Sequence, residues 1–249
     1  IVNIFAYILF FALLAVALFL ALRYRLSRMR WRGIRFSLGG SIKEYLVLAI
    51  KRTVINIVTL GWKIPQSDLL KWGYIANHMT YGDIKFSFNG DVSRVQKVHI
   101  KTLLAASIAL FMAAFVGVSS FPEDDSNATP IVSMVVFYLG FAFALSARLW
   151  YYAALWQEKF RGLRLGKLRF KSYVTGAGLL KLYVTNFLLI AVTLGIAKPI
   201  AAHRTLRYYV TNLKIGGDVN DLIAEQARLS EKSGMGDALA ADVGFDMGL

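Results

Sequence analysis

Long uncharged runs alternate along this chain with stretches in which apolar and basic residues take turns. Three runs are long enough to cross a bilayer: residues 1–22, 102–121 and 131–147, the last continuing apolar to Trp156 past Arg148. About 20 residues at 1.5 Å each span a hydrocarbon layer of roughly 30 Å. Between the runs the period changes. Ile34, Phe36 and Leu38 alternate with Arg35 and Ser37 before Gly39-Gly40, which predicts a half-buried strand over 34–38. A helix over 41–60 comes next, with Ser41 as cap and Glu44 at the capping-box position. Gly61 stops it and Pro65 opens a second helix of about 15 residues, running to roughly Thr80. Gly82 ends that helix, and Ile84, Phe86 and Phe88 alternate with Lys85 and Ser87 in a closing strand over 83–89.

The same text recurs 134 residues later without a gap. Arg35-Phe36 returns as Arg169-Phe170, Val58-Thr59-Leu60-Gly61 as Val192-Thr193-Leu194-Gly195, Pro65 as Pro199, Tyr74 as Tyr208 and Gly82 as Gly216. A repeat of this length is one supersecondary unit written twice. The second copy therefore predicts a strand over 168–172, helices over 178–196 and 199–212, and a closing strand at Leu213 and Ile215. Both ends of each helix pair are basic, which predicts hairpins that dip into one leaflet and return. Lys51-Arg52 in the middle of the first hairpin is costly at bilayer depth. The nearly uncharged helix of the second copy leaves open an alternative in which the hairpin helices cross, giving seven spans rather than three. The opening and closing strands of a copy are expected to pair with each other.

Composition sharpens this picture. Of 249 residues 57% are hydrophobic, the mean hydropathy is +0.51 and no cysteine occurs, so disulfides and thiolate metal sites are excluded. The net charge is +14, yet residues 218–249 hold seven acidic and two basic side chains. Basic residues flank every apolar run except at 122–130, which holds Glu123, Asp124 and Asp125. The positive-inside rule puts this turn outside and the basic segments in the cytoplasm. Arg148 is expected to snorkel to the inner interface, amid Trp150, Tyr151, Tyr152 and Trp156. The expected organisation is a transmembrane helix at 1–22, a repeat module at 23–100, a transmembrane hairpin at 101–156, a second module at 157–217 and an acidic tail at 218–249. The chain opens on Ile1 inside an apolar run, and its start is expected to be processed or truncated.

No catalytic chemistry assembles. His78, His99 and His203 are not at ligand spacing, and no phosphate loop, nucleophile elbow or zinc-protease motif occurs. No enzyme activity, cofactor or metal is expected, and no nucleic acid, because the arginines abut apolar runs. The candidate binding residues are Arg32, Arg35, Arg169, Arg204 and Arg207, placed to hold lipid phosphates. Gly117, Gly140 and the alanine-rich faces allow close helix packing.

Arg32-Gly33-Ile34-Arg35-Phe36, Gly40, Glu44-Tyr45, Thr59-Leu60-Gly61, Tyr81-Gly82-Asp83 and Phe86 resemble the YjgN-like family of bacterial inner-membrane proteins. In the second copy the likeness continues through Leu168-Arg169-Phe170, Thr193-Leu194-Gly195-Ile196, Arg204, Arg207-Tyr208-Tyr209, Asn212 and the segment from Gly236. The resemblance covers nearly the whole chain. It implies a multi-pass bacterial inner-membrane protein, a further module copy ahead of the first run, and no known function. The expected fold is thus membrane all-α, polytopic and helical, with small α+β repeat modules at the cytoplasmic interface. The expected role is an accessory or scaffold subunit contacting membrane lipids and other membrane subunits. The alternative is a transporter, channel or lipid-handling protein using the hairpins.

Overall fold

The computed structural model describes the backbone of residues 2–119 and 128–217 and, within these, the side chains apart from those of 2–8, 11–12, 117–119 and 128–133. The acidic turn, apart from the backbone of 128–130, and the acidic tail lie outside the described residues. Among these residues the chain forms seven helices and seven strands: α1 (Val2–Arg28), β1 (Arg30–Trp31), β2 (Ile34–Leu38), α2 (Ile42–Val58), α3 (Ile64–Asn77), β3 (Met79–Tyr81), β4 (Ile84–Phe88), α4 (Val92–Ser119), α5 (Ala128–Arg161), β5 (Leu163–Leu165), β6 (Leu168–Ser172), α6 (Gly176–Val192), α7 (Lys198–Thr211) and β7 (Leu213–Gly216).

The all-helical polytopic fold expected from the apolar runs is corrected by this arrangement. The seven strands form one sheet in the order β1-β2-β3-β4-β5-β6-β7. Only two helical segments among the described residues are long and apolar enough to cross a membrane, Val92–Val116 and Met134–Arg161. The modules are not separate appendages, because β4 of the first copy pairs antiparallel with β5 of the second, Phe86 opposite Leu165 and Phe88 opposite Leu163. The expected pairing of opening and closing strands holds in the second copy, where β6 neighbours β7, and is corrected in the first. β2 pairs with β3, and β3 with β4. Gly82-Asp83 is a two-residue turn, with φ +58 at Gly82, that folds Met79–Tyr81 back onto β4. Arg32-Gly33, at φ +50 and +82, and Gly166-Lys167, with φ +54 at Gly166, make the corresponding turns into β2 and β6.

The structure repeats with the sequence offset. β2 and β6, α2 and α6, and α3 and α7 are each displaced by 134 residues. Ser41 caps α2 by accepting the Glu44 N–H, and Thr175 caps α6 by accepting that of Gly178. A tyrosine of the second helix reaches back to each cap: the Ser41 N–H donates to Tyr74 Oη at 2.9 Å and the Thr175 N–H to Tyr208 Oη at 3.4 Å. In the tight turn between the helices, Thr59 Oγ1 accepts the Lys63 N–H and Thr193 Oγ1 that of Ala197. Pro65 and Pro199 stand in the first turn of α3 and α7, where no N–H is needed.

The chain divides into two compact units. The first holds 1–90, 161–170 and 215–249; the second holds 91–160 and 171–214. In the first, Phe19 and Leu26 of α1 pack with Leu38 of β2 and Tyr45 of α2, so the helices cover one face of the sheet. In the second, Ala153 of α5 packs with Val174 and with Leu179 of α6, and Gln157 Nε2 donates to Val174 O at 2.6 Å. The N–H of Asp91 donates to the buried Glu158 carboxylate at 2.8 Å, tying the start of α4 to the end of α5.

The four hairpin helices have 17 or 14 residues. At 1.5 Å per residue they reach about 26 and 21 Å, short of a full crossing. This counts against seven spans.

Candidate functional site

Two surfaces stand out, each built by repeat-related residues. The first is the hairpin. Soluble helices bury apolar residues and expose polar ones; these hairpins bury polar side chains among their apolar contacts and expose large apolar ones. Between α2 and α3, Ser67 Oγ donates to Asn56 Oδ1 at 2.7 Å, and Ser67 is fully buried. Between α6 and α7, Asn186 Nδ2 donates to Ala201 O and Thr205 Oγ1, and Arg204 Nη2 donates to Thr185 Oγ1. Arg52, which matches Asn186 in the repeat, turns its Nε into the same kind of interior locus. Outward stand Val47, Ile57, Val184, Phe187 and Leu206, all exposed. The apices carry the extreme case: Leu60 is 91% exposed and Leu194 93%, with Val58, Trp62, Val192 and Ile196 exposed beside them.

These leucines also carry backbone strain. Leu60 lies at φ +48 and Leu194 at φ +47, followed by Gly61 and Gly195 at +83 and +92. The left-handed conformation costs a residue with a Cβ about 1–2 kcal/mol. Leucine at such a position, projecting into solvent in both copies, gains nothing from folding in water. The double variant L60G/L194G is expected to raise thermal stability in detergent by about 1 kcal/mol or more. Unfolding midpoints check this, and an unchanged or lowered midpoint sinks it.

The second surface is the sheet face in the first unit that α1 and α2 leave uncovered. Register puts Arg30 opposite Arg35, Ser37 opposite Thr80, Thr80 opposite Lys85, Ser87 opposite Arg164, and Arg164 opposite Arg169. Directly paired residues share a face, so these side chains line one side. Leu38, Tyr81, Ile84, Phe86, Leu163, Leu165 and Leu168 are buried on the other. Arg30 and Arg35 recur as Arg164 and Arg169, so each copy sets two arginines directly across a strand pair. Like charges so placed are unfavourable, by about 0.2–1 kcal/mol per pair on the scale of cross-strand interactions. None of Arg30, Arg35, Lys85, Arg164 and Arg169 makes an ion pair with a described residue. At the edge of this region burial pushes the Tyr81 hydroxyl above its usual range, partly offset by the Arg32 charge, and it donates to Trp31 O at 2.9 Å.

The five arginines expected from sequence therefore part ways. Arg35 and Arg169 lie on the same sheet face, four strands apart. Arg32 sits in the β1–β2 turn with its guanidinium 5.1 Å from the Trp31 ring. Arg204 serves the interior of its hairpin, while Arg207 is exposed on α7. Lys85 and Arg164 were missed as site residues, although the alternation along β4 and the 134-residue offset from Arg30 point to them. Arg148, expected to snorkel, lies 4.9 Å from the Tyr151 ring and 3.4 Å from Nδ1 of the buried His99.

Fold and surfaces together define a duplicated α+β protein with helix hairpins apolar on the outside, a one-sided cationic sheet and two helices, among the described residues, apolar and long enough to cross a membrane. The chain belongs to the family described as "Bacterial protein of unknown function (DUF898)", which it matches over residues 1–241, consistent with the YjgN-like resemblance. No curated protein and no solved structure matches it.

Proposed function

We propose that this protein is a bilayer-seated accessory scaffold of the bacterial inner membrane. Its two long apolar helices cross, and its two hairpins sink tip-first into the cytoplasmic leaflet. The observation that carries this reading is the polarity of the hairpins: polar side chains hydrogen-bonded inside, large apolar side chains outside, and strained, exposed leucines at both apices. In lipid this polarity is the favourable one, because interhelical polar contacts are shielded and apolar residues face acyl chains. Lys63 and Lys198, just past the apices, have stems long enough to draw their ammonium groups away from the tip. The accessory role is supported by the way α4 and α5 spend their outer surface on large apolar groups such as Phe111, Phe115, Leu139 and Phe143, suited to lipid or to a partner's helices. Lipid phosphates are the natural ligands of exposed Arg207 and of Arg32 at its turn.

The cysteine-free chain makes the test direct. A Leu194→Cys variant carrying an environment-sensitive fluorophore, placed in nanodiscs, is expected to emit at short wavelength and to be quenched by brominated acyl chains. Long-wavelength emission quenched by aqueous iodide would overturn the bilayer seat. For the accessory role, extraction from the native membrane in nanodiscs is expected to retain a stoichiometric membrane partner; an isolated monomer would refute it.

A further inference from the structure

We propose that the cationic face of the sheet is a docking surface for an acidic peptide, and that its occupant is this chain's own segment 218–249. The face gathers Arg30, Arg35, Lys85, Arg164 and Arg169 on one side of six neighbouring strands, β1 to β6. Hydroxyls of Ser37, Thr80 and Ser87 lie between them, with Ser37 and Thr80 in mutual hydrogen bond. The face carries no aromatic side chain at these paired positions. It offers forked donors suited to carboxylates. Two repeat-related pairs of arginines stand directly opposed with no described carboxylate in ion-pair contact, an arrangement that costs stability unless an anion lies across it.

The anion is at hand in the sequence. Residues 218–249 carry Asp218, Asp221, Glu225, Glu231, Asp237, Asp242 and Asp246 against Arg228 and Lys232, a net of −5 facing five cations. The segment starts one residue after Gly217, which lies beside Leu168 and the Lys167 carbonyl at the β5–β6 turn, with Arg169 the next residue along β6. Thirty-two residues at about 3.3 Å each reach far beyond the width of six strands at about 4.8 Å spacing. Connection to the sheet edge also gives the segment a high effective concentration over any free anion. The docking is independent of how the hairpins sit in lipid, and an acidic partner would have to displace the segment to reach the arginines.

The test uses full-length protein with cysteines introduced on the sheet face and in the segment. In a Ser87→Cys variant, modification by an uncharged bulky maleimide is expected to be about tenfold slower than in the same chain with the seven acids replaced by Asn or Gln. The difference is expected to vanish at about 1 M salt, where the screening length falls to about 3 Å. The Ser87→Cys/Ser230→Cys pair is expected to form an intrachain disulfide that acid neutralisation abolishes. Equal modification rates with no intrachain disulfide would overturn the proposal. Disulfides formed only between chains would also overturn it, in favour of a second copy's segment. Protection that survives acid neutralisation but disappears on delipidation would overturn it in favour of anionic lipid. Matching helix and strand content by circular dichroism in the two backgrounds excludes a folding artefact.

Discussion

Replacing Gly140 by alanine is expected to destabilise the protein by about 1–3 kcal/mol, and by leucine to cost more. Gly140 sits where α5 touches α4 in the second unit. A Cβ built there lies 2.4 Å from the Ala113 Cβ and 3.2 Å from the Ala109 carbonyl oxygen. Ala109 and Ala113 are one helical turn apart, so they form a single flat stripe against which only hydrogen fits. Neither obstacle is a flexible side-chain end; one is backbone and the other a methyl fixed to it. The helices have to separate by an ångström or more, and their contacts along the seam weaken together. The double variant G140A/A113G removes the opposing methyl and is expected to recover part of the loss, giving a coupling of opposite sign to the single effects. Unfolding midpoints in detergent read both. If G140A and G140L leave the midpoint unchanged, the close approach of the two helices is wrong. The sequence pointed to Gly140 as a site of close helix packing; the structure uses it within the chain, against Ala109 and Ala113, and leaves the bulky residues outside.

Legibility divided along physical lines. The strands at 34–38 and 168–172 were read with their observed bounds, because five residues suffice for alternation to declare itself. The hairpin helices were read to within a few residues, since Ser41, Gly61 and Pro65, and their counterparts, mark starts and stops by local chemistry. The second copy's cap was missed: Thr175 keeps the hydroxyl, but Gly178 stands where Glu44 completes the first box. Strands of two or three residues carry no period, so β1, β3 and β5 went unseen. Their turns were visible all the same, as Arg32-Gly33, Gly82-Asp83 and Gly166-Lys167, each a two-residue hairpin signal. Reading Gly82 only as a helix stop hid β3, and with it the pairing that carries the sheet from one copy to the next. The cationic face was half legible: the offset relates Arg35 to Arg169, but which neighbours share their side depends on register, which only the strand pairs fix. The all-helical expectation failed for the same reason. Apolar runs dominate the hydropathy, while the sheet is assembled from short pieces far apart in sequence.

The junction between the copies yields the other large effect. Gly162 comes directly after α5 and opens the second copy; its carbonyl accepts the Asn89 N–H at 2.9 Å, just past the pairing of Phe88 with Leu163. A Cβ there lies 2.8 Å from the Asn89 carbonyl oxygen, 2.9 Å from its carbon and 2.8 Å from the Phe88 ring. Two backbones meet at this point with no room for a methyl, and Gly162→Ala is expected to cost about 2–3 kcal/mol. The effect is also expected to be local. Amide exchange across Ile84–Phe88 and Leu163–Leu165 quickens, while the pairing of Ile34–Leu38 with Met79–Tyr81, two strands away, keeps its protection. Gly33→Ala is the matched control: nothing lies within 4 Å of its Cβ, so only the left-handed backbone at φ +82 is penalised, by about 1–2 kcal/mol. A Gly162→Ala variant as stable as the parent, with unchanged exchange in β4 and β5, would refute the direct joining of the copies. A loss confined to those strands would show that duplication produced one sheet here because the second copy's first strand, released from α5 at a glycine, lies against the first copy's last.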